Sequence, residues 1–212
     1  MPSTPTPPSP SSPSRRKDAR RNQQTLLDAA AAVFITSGVE APVRDIAARA
    51  GVGMGTIYRH FPTRADLIIA VYRHQVDACA EAGPALLAAS PTPYTALTEW
   101  IDLFVDFLVT KHGLAAVLQA DNAGFATLHT YFLDRLLPVC ETLLTAAKAS
   151  GEIHLAHPAH PGLPDHPDLP DLTAYALLRG VGNLCIGADS TPGYDARRLV
   201  TLLIAGLRTP PT

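Results

Sequence analysis

Between Val43 and Phe61 the chain reads VRDIAARAGVGMGTIYRHF, and this run limits the possible folds more than any other. Ile46, Ala47 and Ala50 make one apolar helical face that stops at Gly51, and a second short helical pattern follows from about Met54 to Phe61. Two helices joined by so brief a turn cross steeply, which calls for a small residue at the closest approach and a glycine at the turn. Ala47 and Gly51 supply them. Ile46, Val52, Ile57 and Phe61 then face inward, and Met54, Gly55, Thr56, Tyr58, Arg59 and His60 face outward. The pattern predicts a helix-turn-helix over about 43–61. Small residues at the start of its second helix let the backbone approach DNA. Thr56, Tyr58 and His60 can donate to phosphate oxygens, and Arg44 and Arg59 can reach phosphates or guanine edges.

The flanking sequence supports a three-helix head. Leu26, Ala29, Ala30, Val33 and Phe34 recur at helical spacing, predicting a first helix from about Asp18 to Ser37 with Gly38 after its end. Pro42 suits the start of the second helix, where a missing N–H costs nothing. Thr63 and Asp66 have capping-box spacing ahead of a fourth helix that is expected to run to about Glu81 and break at Gly83-Pro84. Residues 1–17 read as a disordered Pro/Ser-rich arm ending in Arg15, Arg16 and Lys17. That arm is either a solubilising tail or a segment that touches phosphates or enters the minor groove.

Charge is divided along the chain. Residues 1–75 carry a net +5 and residues 76–212 a net −7, the asymmetry expected of a nucleic-acid-binding head joined to a second domain. No apolar run reaches the ~18 residues of a membrane span, and the N-terminus lacks a signal-peptide pattern. Cys79, Cys140 and Cys185 are distant from each other and sit in apolar helical patterns, so they read as buried thiols in a cytoplasmic protein.

Helical periodicity fills the remainder: Tyr94 to His112, Leu114 to Asn122, Phe125 to Ser150 with a bend at Pro138, then Leu172–Ala188 and Asp195–Leu207. The prediction is an all-α fold of about nine helices, with a DNA-binding domain over 18–80 and a second domain over 81–212. Trp100 and Phe104 either border a ligand cavity or belong to plain core, and Gln119, Asn122, His129 and Asn183 are the polar candidates for orienting a ligand. The last two helices are nearly apolar all round. Their extra face is covered either within the monomer or, as a better account, by the same two helices of a second subunit.

His154, His157, His160 and His166 invite a metal reading. They lie among prolines in a 152–170 loop where nothing fixes ligand directions, so no metal site is expected. No phosphate loop, HExxH or GxSxG run is present, and Asp102 and Asp106 fall on a solvated helix face. Neither an enzyme nor a cofactor is predicted.

The run Ile46-Ala47, Ala50-Gly51-Val52 and Gly55-Thr56-Ile57-Tyr58-Arg59-His60-Phe61, with Arg64 and Leu67 beyond it, resembles the signature of TetR-type (TetR/AcrR) transcriptional regulators over roughly residues 22–70. Gly53, Pro42 and Arg64 stand where Ser, Thr and Lys are common in that family. The resemblance adds Arg64 to the DNA-contacting set. It also implies a homodimeric repressor whose heads enter successive major grooves of a pseudo-palindromic operator, and whose C-terminal domain binds a small-molecule effector that releases DNA. The alternative is an all-helical ligand-binding or scaffolding protein without operator function.

Overall fold

A computed structural model describes residues 12–118, 122–153, 171–186 and 193–208, and among these the protein is built from helices in two compact units that divide at Val71 and Tyr72. The first holds α1 (Ser12–Ser37), α2 (Val43–Ala50), α3 (Met54–His60) and the start of α4 (Arg64–Ala89). The remainder of α4 belongs to the second, with α5 (Pro93–Leu118), α6 (Asn122–Ala149), α7 (Ala174–Cys185) and α8 (Ala196–Ala205). Eight helices are thus described.

The head forms where the periodicity places it. Leu26, Ala29, Ala30, Val33 and Phe34 are all buried on α1, and Ile46, Ala47, Ile57 and Phe61 complete the same core from α2, α3 and the end of α3. α1 ends at Gly38, whose φ of +77° suits a residue without a Cβ. The Thr63–Asp66 box closes reciprocally: the Thr63 N–H donates to Asp66 Oδ2 (3.0 Å) and the Asp66 N–H donates to Thr63 Oγ1 (3.1 Å).

Several expected boundaries move. α1 begins at Ser12, so Arg15, Arg16 and Lys17 stand in its first turns and not in a disordered arm; Pro13 is tolerated because first-turn N–H groups have no helical partner. The two units divide at 71/72 and not at 80/81, because the start of α4 is tied to the α1–α2 turn while the Tyr72 ring packs at a tilt against Phe107 (ring centroids 5.2 Å apart). α4 also continues through Gly83-Pro84 to Ala89. An interior proline costs about 3 kcal/mol, but buried Gly83 lets α6 approach the same turn, and that packing opposes the break. α5 likewise passes Gly113, whereas α6 carries Pro138 within one helix, as expected.

In the second unit Ala96, Leu97, Trp100, Ile101 and Phe104 of α5 are buried against α6, α7 and α8. Asp77 of α4 accepts from the Tyr131 hydroxyl (2.7 Å) and from Arg135 Nε (2.9 Å) of α6. Thr173 and Asp195 N-cap α7 and α8 by accepting from Ala176 N (3.1 Å) and Arg198 N (3.0 Å).

Glu152 fastens the end of α6 to the start of α5. It accepts from the Tyr94 N–H (3.0 Å) and the Ser150 hydroxyl (2.8 Å). Its carboxyl is held below the usual range, first by a hydrogen bond from Thr92 and then by those from Tyr94 and Ser150 and by the nearby Arg208 charge. A depressed folded-state value means stability that is present above the unfolded pKa of ~4.3 and lost as pH falls through the folded value. Wild type should therefore be more stable than Glu152→Gln at pH 7, with the gap closing below about pH 4. Urea midpoints at pH 7, 5 and 3.5 check this, and a gap unchanged by pH would refute it.

Candidate nucleic-acid interface

Gly51 lies in the left-handed region (φ +67°) at the end of α2, and its N–H and that of Val52 return to Ala48 O (3.3 Å) and Ala47 O (3.0 Å). This conformation turns the chain within two residues, which is why an L side chain would be strained there. Gly53 is extended and N-caps α3, with the Thr56 N–H donating to its carbonyl (2.9 Å).

α3 is thereby split into two faces. Ile57 is buried, and Phe61 follows it into the core. Met54 and Tyr58 are 52% and 50% exposed, large side chains that no intramolecular packing explains. Gly55, Arg59 and His60 are exposed and Thr56 half-buried. A Cβ added at Gly53 or Gly55 would meet no atom within 4 Å, so this end of the helix is open to a partner's close approach. Arg44 projects from the first turn of α2, with its side chain 77% exposed and paired only loosely with Asp45 (3.5 Å). An exposed pair of this kind contributes little and leaves the guanidinium available.

Arg64 is placed differently. Its Nη2 donates to the carbonyls of Val39 and Ala41 (2.7 Å to Ala41), Nε stands 3.9 Å from Glu40, and Nε is buried without a hydrogen-bond partner. Arg64 ties the start of α4 to the α1–α2 turn, so its guanidinium is engaged by that turn. No sequence pattern shows that engagement, because a basic residue in the first turn of a helix is compatible with either orientation.

The comparisons with known proteins converge on this head. Residues 26–71 match the family model for bacterial regulatory proteins of the tetR family. An HTH-type transcriptional regulator of Staphylococcus aureus is 30% identical over 108 residues, 50% of this chain and 58% of that protein; the chain therefore spans little more than half the length of such curated relatives. A TetR transcriptional regulator from Streptomyces coelicolor superposes with a TM-score of 0.68 at 31% identity, covering 89% of this chain and 99% of that one. The chain belongs to the TetR family. A TetR regulatory protein from Mycobacterium vanbaalenii has the same fold, at TM-score 0.64 and 28% identity over 92% of this chain and 99% of that one.

In this TetR-family protein the described ligand candidates Trp100, Phe104, His129 and Asn183 lie outside the lining of the cleft between α4 and α6. Trp100 and Phe104 are fully buried, stacked in parallel with centroids 6.0 Å apart, and Trp100 Nε1 donates to Cys79 O (2.8 Å). They are core: helical spacing established their burial but could not separate a packed interior from a cavity wall. His129 is exposed with its ring stacked on Phe132 (6.0 Å), and Asn183 is exposed on α7. Asn122 opens α6, its side chain and Gln119 lying outside the described residues, as does the 154–167 histidine loop. Among the described residues no cluster of three metal-ligating side chains is found, and no helix is long and apolar enough to cross a membrane. All three cysteines are buried and free, and burial pushes the Cys79 and Cys140 thiols up to about 12, which makes them inert.

A cleft of about 380 Å³ does open between α4 and α6, walled by Pro84, Leu87, Pro138, Val139 and Leu143 around Gly83. The sequence signal was a proline in each facing helix, which reads more naturally as a break at Pro84 and a bend at Pro138. A Cβ built on Gly83 would collide with Val139 Cγ1, a stiff β-branched side chain. Gly83→Ala should cost about 1–3 kcal/mol by overpacking. The check is its thermal unfolding; an unchanged Tm would show that α4 and α6 part without cost.

Proposed function

We propose that this protein is a transcriptional regulator that acts as a homodimer on a pseudo-palindromic DNA operator, with Arg44, Met54, Gly55, Thr56, Tyr58, Arg59 and His60 at the DNA. The carrying observation is the exposed face of α3, where two large side chains, Arg59 and His60 stand beside glycines that leave the backbone bare. Arg64 acts on DNA indirectly, by holding α2 in place through the α1–α2 turn.

Dimerisation through α7 and α8 is supported by the apolar side chains those helices leave outside the core: Tyr175 at 45% exposure and Leu202 at 59%. Paired with the same helices of a second copy, they would form a four-helix interface. The protein works as a cytoplasmic repressor, released by a small-molecule effector that enters the second unit. The α4–α6 cleft falls within the size range of small-molecule pockets, and its apolar walls suit an apolar effector.

The test is binding of the full chain to duplex DNA from upstream of its own reading frame, against random duplex, at several salt concentrations. Strong preference for one pseudo-palindrome with affinity falling as salt rises supports operator function; equal weak binding to all sequences favours a scaffolding role. Tyr58→Phe is expected to weaken operator and random DNA alike by about 1–2 kcal/mol, the loss of one hydrogen bond to phosphate. A change in sequence preference instead would assign Tyr58 to a base edge.

A further inference from the structure

Among the described side chains of α1, Leu26 is the first to enter the core. Ahead of it the helix runs through SPSRRKDARRNQQT, residues 12–25, about 21 Å of helix at the usual rise. The side chains of 17, 18 and 20–25 are all exposed. The stretch carries Arg15, Arg16, Lys17, Arg20 and Arg21 against the single acid Asp18, a net charge of +4. Arg16 and Arg20, like Lys17 and Arg21, stand at i, i+4, where like charges oppose helix formation. No described acidic side chain pairs with Lys17, Arg20 or Arg21. A helix polar all round and self-repelling gains nothing from the fold of the head, and such a helix is marginal in water.

We infer that this basic, core-free extension of α1 is a second DNA-binding element, which lies along the phosphate backbone of the duplex that α3 occupies. The inference rests on the operator reading above. Charge complementarity selects the occupant. A duplex carries about one negative charge per ~1.7 Å of its axis, so a +4 stretch about 21 Å long meets a dense array of phosphates. An anionic membrane is a poorer match, because residues 12–25 contain no large apolar side chain to form the buried face an interfacial helix requires. Contacts to phosphate add affinity without sequence information.

The experiment compares the full-length wild type with the variant Arg15→Gln, Arg16→Gln, Lys17→Gln, Arg20→Gln, Arg21→Gln, measuring Kd for operator and random duplex between 50 and 200 mM salt. Each phosphate contact contributes ~0.9 to the slope of log K against log salt, so loss of about three to five contacts per dimer should flatten it by roughly 2.7–4.5. Both affinities should fall together, leaving their ratio unchanged. The charge-preserving variant Arg15→Lys, Arg16→Lys, Arg20→Lys, Arg21→Lys should keep the wild-type slope. Unchanged slope and affinities in the glutamine variant, with a wild type that binds its operator, overturn the inference and leave the operator reading intact. An altered operator-to-random ratio also overturns it, since the extension would then be reading bases. A wild type that binds no DNA removes both.

Discussion

Trp100→Ala is expected to destabilise the protein by about 3–5 kcal/mol, enough to remove much of the stability of a domain this size. Three contributions combine. The indole is fully buried, so its apolar area returns to water. Its plane lies parallel to that of Phe104 with centroids 6.0 Å apart, and Phe104 in turn stacks on Phe107 and packs at a tilt against Phe132, so the gap opens at one end of a continuous aromatic row. Its Nε1 also joins α5 to α4 by donating to Cys79 O (2.8 Å). Trp100→Phe separates these: the ring remains, the hydrogen bond goes, and the loss should fall to about 1–2 kcal/mol. Urea denaturation followed by circular dichroism gives both numbers. A loss from the alanine variant below about 1 kcal/mol would mean that Trp100 walls a cavity and not a packed core.

Arg64→Ala should be nearly as damaging, at about 2–4 kcal/mol, although the residue lies on the surface of a small head. Hydrogen bonds from a charged donor are worth about 1.5–3 kcal/mol each, and Arg64 supplies them to two carbonyls in the turn between buried Val39 and Ala41. Without it α2 loses its anchor, and α3 is held to the core largely through α2. DNA affinity should therefore fall in step with stability, for all sequences. Hydrogen exchange in the 38–47 backbone should speed up. Arg64→Lys should recover part of the loss, because one ammonium cannot reproduce a planar fork aimed at two acceptors. If Arg64→Ala melted like wild type while the salt slope of DNA binding fell by ~1, the residue would be a phosphate ligand and the anchor reading would fail.

These two residues mark the limits of what was readable in the sequence. Trp100 falls on the apolar stripe of α5, so its burial was legible; whether the stripe closes on protein or on a cavity depends on how α4 and α6 fill the space opposite, which periodicity does not encode. Arg64 was legible as a cation at the start of a helix. Its direction was not, since that follows from two carbonyls more than twenty residues away in the chain. The α4–α6 cleft was hidden for a related reason: Gly83, Pro84 and Pro138 are local helix breakers that tertiary packing overrides.

By itself, then, the sequence determined the helix-turn-helix. Its parts are short-range: the Ala47–Gly51 spacing, a left-handed glycine, the Thr63–Asp66 cap and inward-facing Ile46 and Ile57. Each acts within a few residues, so the outward face of α3 follows directly from its inward one. Only the tertiary structure decided how far α4 extends, where the head ends, which carbonyls Arg64 binds and where the second unit leaves space. All of these depend on contacts between distant segments, whose free energy is large enough to outweigh a local preference of about 3 kcal/mol such as that of Pro84.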